Sequence, residues 1–143
     1  MVNSIEDIKK FINDKSFKKI FVLCGKKSFV TSGADELFKQ IVSDKEIKLF
    51  YKKSELPILE ELIEIINNIK NFKPDLILAV GGGAVMDYAK IANVVDVRKD
   101  LADLIVNYSY TFQKKIYKTC GYTYHCRIWS WSHIKCSYLC KRN

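Results

Sequence analysis

The spacing of apolar positions changes several times along the first 115 residues, and each change marks a helix or a strand. Ile5, Ile8, Phe11 and Ile12 recur three and four apart, one face of a helix that Ser4 is placed to cap. Ile20-Phe21-Val22-Leu23-Cys24 is apolar without a break and stops at Gly25. A short continuous run of this kind predicts a parallel strand buried on both faces. Ser32-Gly33 open a helix carrying Leu37, Phe38 and Ile41, and Ile47–Tyr51 reads as a second strand. Ser54 is the expected cap of the next helix. Pro57 falls in its first turn, where a missing N–H costs little. Leu56, Leu59, Leu62, Ile63, Ile66 and Ile69 form its apolar stripe. After Pro74-Asp75, Leu76–Val80 predicts a third strand that runs directly into Gly81-Gly82-Gly83. A helix follows from Ala84 to about Val95.

Repeated strand–helix–strand units predict an α/β fold, a Rossmann-like parallel sheet flanked by helices, with right-handed crossovers. The 143 residues suit one domain, and 48% hydrophobic content is enough for its core. The formal charge of +8 would suit an acidic partner, but the Lys and Arg are scattered over polar helix faces and strand ends. That distribution reads as a solvated surface and argues against a nucleic-acid partner. No stretch approaches the ~20 apolar residues of a membrane span, and the N-terminus lacks the blocks of a signal peptide. A cytoplasmic location and no membrane partner are the expectations.

The chemistry concentrates at Ala79-Val80-Gly81-Gly82-Gly83-Ala84-Val85-Met86-Asp87. A buried strand ends in three glycines and a helix begins at once. Glycines let backbone N–H groups approach a phosphate without interference from Cβ. The helix N-terminus adds unpaired donors and partial positive charge. Ligands of open α/β sheets sit at this end of the strands. A tight turn without ligand is the plainer alternative.

Gly81 to Lys90 resembles the Gly-Gly-Gly-Ser-x-x-Asp-x-Ala-Lys signature of the iron-containing alcohol dehydrogenases, whose wider superfamily includes glycerol dehydrogenase and dehydroquinate synthase. The resemblance implies an N-terminal domain that binds NAD(P), with Gly81, Gly82 and Gly83 at the pyrophosphate and Asp87 beside the nicotinamide ribose. Ala84 stands where the family usually has Ser, so one hydroxyl contact is lost. Many members carry an acid at the end of the first strand to bind the adenosine ribose. Here Gly25 takes that place, followed by Lys26 and Lys27, which favours NADP. The implied activity of the intact enzyme is alcohol–aldehyde interconversion by hydride transfer. Fe²⁺ or Zn²⁺ would be held by one Asp and three His of a helical C-terminal domain, often in a homo-oligomer. That domain is expected to be absent here, so no catalytic or metal residue is assigned and the chain is expected to be inactive. A nucleotide-binding remnant without catalysis, or a polyol dehydrogenase or cyclase of the same superfamily, are the alternatives.

Beyond Lys115 the pattern dissolves. Both Trp, both His and Cys120, Cys126, Cys136 and Cys140 fall after residue 118. A zinc site is poorly supported, since no Cys-x-x-Cys pair exists. A nucleic-acid arm of interleaved basic and aromatic residues is a second reading. The preferred one is a shifted reading frame. Permitted codons from Lys118, read one base later, give Lys-Leu-Val-Ala-Ile-Pro-Thr-Thr-Ala-Gly-Ser-Gly-Ala-Gly-Val-Thr. This resembles the family's next motif, Pro-Thr-Thr-x-Gly-(Ser/Thr)-Gly-x-Glu-Val-Thr. The bases across Trp131-Ser132 force Gly where the family usually has Glu. A Glu codon there would read TGA in the present frame, so either that base differs or TGA encodes Trp. The expected division is therefore an incomplete dinucleotide-binding domain at 1–117 and an aberrant, disordered tail at 118–143. That tail is expected to leave the sheet open at one edge, with poor solubility as the consequence.

Overall fold

The computed structural model describes residues 5–14, 16–41, 44–95, 101, 103, 117–122 and 129–130. In chain order the elements are α1 (Ile5–Asp14), β1 (Lys19–Gly25), α2 (Lys26–Thr31), α3 (Ala34–Ile41), β2 (Glu46–Lys52), α4 (Leu59–Phe72), β3 (Leu76–Val80), α5 (Gly83–Ala92), β4 (Lys118–Tyr122) and β5 (Trp129–Ser130). The sheet order is β2-β1-β3-β4-β5. The first four strands are parallel, and β5 runs antiparallel to β4. This is the Rossmann-like α/β sheet that the strand–helix alternation predicts.

Alternation within the apolar runs builds a core on each face of the sheet. Phe21, Leu23, Ile77 and Ala79 pack with Leu62, Ile65, Ile66 and Ile69 of α4 and with Val85, Met86 and Ala89 of α5. Ile20, Val22, Cys24, Leu76, Leu78 and Val80 face the other way, onto Ile12 of α1, Phe29 of α2 and Phe38 of α3. Two covered faces explain why β1 and β3 have no polar alternation. Helix α4 ends at Lys73, whose left-handed backbone (φ 51°) sends its N–H to the Ile69 carbonyl, and Pro74 follows. Asp75 then joins β3 to β1 at their N-terminal ends. Its carboxylate accepts the N–H groups of Lys19 and Lys18 at 2.9 Å each, and these bonds hold its carboxyl below the usual range.

The chain continues into the short helix α2 directly after Gly25, an element the apolar spacing does not predict, so Lys26 and Lys27 are helical. Three expectations need correction. Ser54 does not cap α4: the helix starts at Leu59, no side chain caps it, and the Ser54 hydroxyl bonds to Glu61 instead. Helix α5 stops at Ala92, not Val95, and the buried Asn93 follows it. Finally, the sheet does not stop at residue 117. Lys118–Tyr122 pairs parallel to β3 over its whole length, from Leu76 opposite Lys118 to Val80 opposite Tyr122. The physical reason is that strand pairing uses backbone N–H and C=O groups, which every non-proline residue supplies. Asn93 fixes the entry to β4, donating from Nδ2 to the Tyr117 carbonyl at 2.8 Å and accepting the Tyr117 N–H at 2.9 Å. Apart from β5, the expected disorder after residue 122 concerns positions outside the described residues, as does Ser4.

Candidate functional site

In a parallel sheet all strand ends of one kind share one edge, so Gly25, Lys52 and Val80 lie together at the carboxyl edge. Cys24 is paired with Val80, and Gly25 with Lys52. The glycine turn therefore starts beside the end of β1, where Lys26 and Lys27 are exposed.

The three glycines differ physically. Gly81 is buried, with φ +156°, and a Cβ there would lie 2.9 Å from Val85 Cγ2. It seats the start of α5 closely against the end of β3. Gly82 is the N-cap of α5 (φ −80°, ψ −173°), and its carbonyl accepts the N–H groups of Val85 at 3.1 Å and Met86 at 3.2 Å. The N–H groups of Gly83 and Ala84 precede those bonds, so helix geometry gives them no partner. A Cβ added at Gly82 or Gly83 would meet no protein atom within 4 Å. Both residues are exposed and Ala84 is half-buried. Bare donors therefore border open space, which suits a diphosphate. Asp87 lies one turn further on, half-buried, with Lys90 Nζ at 3.4 Å from its carboxylate. Gly25, Lys26, Gly81, Gly82, Gly83, Ala84 and Asp87 thus occupy one edge of the sheet.

One part of this region escapes sequence reasoning. Glu61 of α4 is buried, and its carboxylate accepts the Lys53 N–H at 2.5 Å, the Tyr88 hydroxyl at 2.9 Å and the Ser54 hydroxyl. Burial pushes its carboxyl up, but the Lys53 N–H and the two hydroxyls together bring it below the usual glutamate range. Burial and the neighbouring Glu61 push the Tyr88 phenol upward. Only a Glu at a core-facing helical position, one residue before Leu62, gave any signal.

The sign of the Glu61 shift sets an expected result. A depressed folded pKa contributes stability above the unfolded value of ~4.3, and that stability is lost as pH falls through the folded value. Between about pH 6 and about pH 3, Glu61→Gln should lose less thermal stability than the parent. Melting curves of equal slope against pH would contradict this.

Two other features do not compete. Burial pushes the Cys24 thiol up to about 12, so it stays protonated inside the core. A groove of about 670 Å³ at the opposite, amino edge mixes Lys18, Lys19 and Lys45 with Asp44, Glu46 and Asp75, and Lys45 pairs with Asp44 at 3.6 Å.

The sequence profile of the iron-containing alcohol dehydrogenases matches residues 2–120. The chain belongs to the iron-containing alcohol dehydrogenase family. No curated protein matches it in direct sequence comparison. Solved structures share the fold. Sulfoacetaldehyde reductase from Bifidobacterium kashiwanohense, in complex with NAD⁺, superposes with TM-score 0.66 and 22% identity over 82% of this chain and 31% of its own. NADH-dependent butanol dehydrogenase A from Thermotoga maritima gives TM-score 0.62 and 23% identity, over 82% and 30%. An iron-containing alcohol dehydrogenase from Thermotoga maritima gives 0.65 and 20%, over 85% and 34%. The chain thus spans about a third of the length of these structures.

Membership of the iron-containing alcohol dehydrogenase family raises the question of a metal. Among the described residues no three His, Cys, Asp or Glu group together to hold one, and His125 and His133 lie outside those residues. The described residues therefore hold no group that fits the family's iron. They do fit a dinucleotide, through the open cradle at Gly82 and Gly83. No described helix is long and apolar enough to cross a membrane.

Proposed function

We propose that this chain is the cofactor-binding domain of an NAD(P)-dependent alcohol–aldehyde oxidoreductase. The supporting observation is the contrast within the turn: Gly81 is packed against Val85, while Gly82 and Gly83 open onto empty space. The amides of Gly82, Gly83 and Ala84 would hold the diphosphate, and Asp87 would orient the nicotinamide ribose. A bound nicotinamide supplies hydride exchange with the carbon of an alcohol or aldehyde. This chain's own residues bind and orient; none is assigned a proton or hydride step. Binding without turnover by this chain alone is part of the proposal. The larger enzyme's metal, Fe²⁺ or Zn²⁺, its substrate, its homo-oligomeric assembly and a cytoplasmic location remain part of the same proposal.

NADP is the favoured cofactor. Gly25 offers no carboxylate to repel a 2′-phosphate, and Lys26 and Lys27 are exposed beside it. Titration calorimetry should show NADP⁺ binding more tightly than NAD⁺. Lys26→Glu combined with Lys27→Glu should weaken NADP⁺ about tenfold and leave NAD⁺ within a factor of about two, a difference of one exposed charged contact. Equal loss for both cofactors would overturn the assignment.

The tail is proposed to arise from a base gained near the Lys114–Lys118 codons. The register of β4 supports this. The shifted frame puts Leu, Val, Ala and Ile in place of Thr119, Cys120, Gly121 and Tyr122, opposite Ile77 to Val80 of the buried β3. Its Pro-Thr-Thr would then follow at the carboxyl edge, beside Gly81. Resequencing these codons tests the proposal: an extra base is expected, and an intact frame shared by related chains would contradict it.

A further inference from the structure

We infer that Tyr88 is a positioning residue for the dinucleotide, setting the orientation of α5 and so of the Gly82–Ala84 amides and the Asp87 carboxylate; this rests on the cofactor reading above. Helix α5 is seated at its start, where Gly81 meets Val85, and its apolar face packs into the core through Met86 and Ala89. Tyr88 adds the directional, hydrogen-bonded anchor. The phenol is 2% exposed. Its oxygen accepts the Ile58 N–H at 2.6 Å, and its proton goes to Glu61 Oε2 at 2.9 Å, with the Ser54 hydroxyl 3.4 Å away. Glu61 in turn holds the Lys53 N–H. One hydroxyl thereby ties α5 to both ends of the β2–α4 connection, which crosses at the same edge of the sheet as the glycine turn.

The consequence for the ligand follows from helix geometry. Tyr88 and Asp87 are adjacent on α5, about 100° apart around its axis. Any rotation that relaxes Tyr88 swings Asp87 and the first-turn amides by the same angle. Tyr88 is buried, and every buried side-chain polar atom among the described residues has a partner. Removing the hydroxyl therefore orphans the Ile58 N–H and leaves Glu61 Oε2 with the Ser54 hydroxyl alone, and α5 shifts to relieve the lost bonds.

The test uses the full chain as parent, Tyr88→Phe, Glu61→Gln and Gly83→Val. Each is titrated with NADP⁺, and amide hydrogen exchange is followed in α5, β1 and β3. Tyr88→Phe is expected to bind NADP⁺ roughly tenfold more weakly. Exchange should accelerate at residues 83–87 and stay unchanged in β1 and β3. Glu61→Gln keeps one acceptor oxygen for Tyr88 but sets its NH2 against the Lys53 N–H, so it should weaken NADP⁺ less than Tyr88→Phe does. Tyr88→Phe binding like the parent while Gly83→Val does not would overturn this inference alone. Equal acceleration in β1 and β3 would also overturn it, by making Tyr88 a general core residue. A parent that binds no dinucleotide, or Gly83→Val that binds as the parent does, would overturn the cofactor reading together with it.

Discussion

Gly82→Val and Gly83→Val are expected to fold as stably as the parent and to bind NADP⁺ at least about a hundredfold more weakly. The two halves of this result have separate causes. In the free protein a Cβ at either position meets nothing within 4 Å, and Gly82 at φ −80° and ψ −173° has a backbone open to any residue. Gly83 is helical, where glycine is itself worse than other residues by up to ~1 kcal/mol, so stability should hold or rise. With a diphosphate bound, the same space is filled. The new side chain would displace the phosphate from at least two amides, each charge-assisted bond contributing ~1.5–3 kcal/mol. A loss of ~2.7 kcal/mol corresponds to a hundredfold in Kd. Thermal melts with NADP⁺ titration check both halves. Undiminished binding would remove the diphosphate from this turn, and a collapsed melt would show that these glycines serve the fold.

Gly81→Ala is expected to do the reverse and strike stability first. Its φ of +156° lies where L-residues are strained, at a cost of ~1–3 kcal/mol. The added Cβ would sit 2.9 Å from Val85 Cγ2 and 3.2 Å from Val85 Cβ. Val85 is buried and β-branched, so it cannot swing clear, and α5 must move away from β3. Overpacking of this kind adds another ~1–3 kcal/mol. The sum is a large share of the 5–15 kcal/mol that holds a typical domain together. Urea unfolding should show a midpoint well below the parent's, and Val85→Ala in the same chain should restore part of it. A midpoint equal to the parent's would mean that Gly81 is not the seat of α5.

The legible parts were those written in side-chain periodicity. Ile20–Cys24 and Leu76–Val80 announced buried strands because both faces are covered, and the α4 stripe Leu62, Ile66, Ile69 announced its helix. The glycine turn was legible as a run of three at a strand end, although only Gly81, at φ +156° and against Val85, needs its residue type in the free protein. Backbone-driven features were not legible. Strand β4 forms with Thr119, Cys120 and Gly121 because the edge of β3 needs hydrogen-bond partners, which no side-chain pattern records. The Tyr88–Glu61–Ser54 network joins residues 34 and 27 positions apart, and only the fold brings them together. Ser54 carried a misleading signal: a cap-type residue ahead of an apolar stripe, used instead to bind a buried carboxylate.

The most direct test is to follow the backbone amide resonances of the ¹⁵N-labelled chain as NADP⁺ is added. The cradle account predicts the largest shifts at Gly82, Gly83 and Ala84, with smaller ones at Lys26 and Lys27. Shifts centred on the opposite groove around Asn13, Lys18 and Lys45, or no shift at the glycines at saturating cofactor, would contradict it.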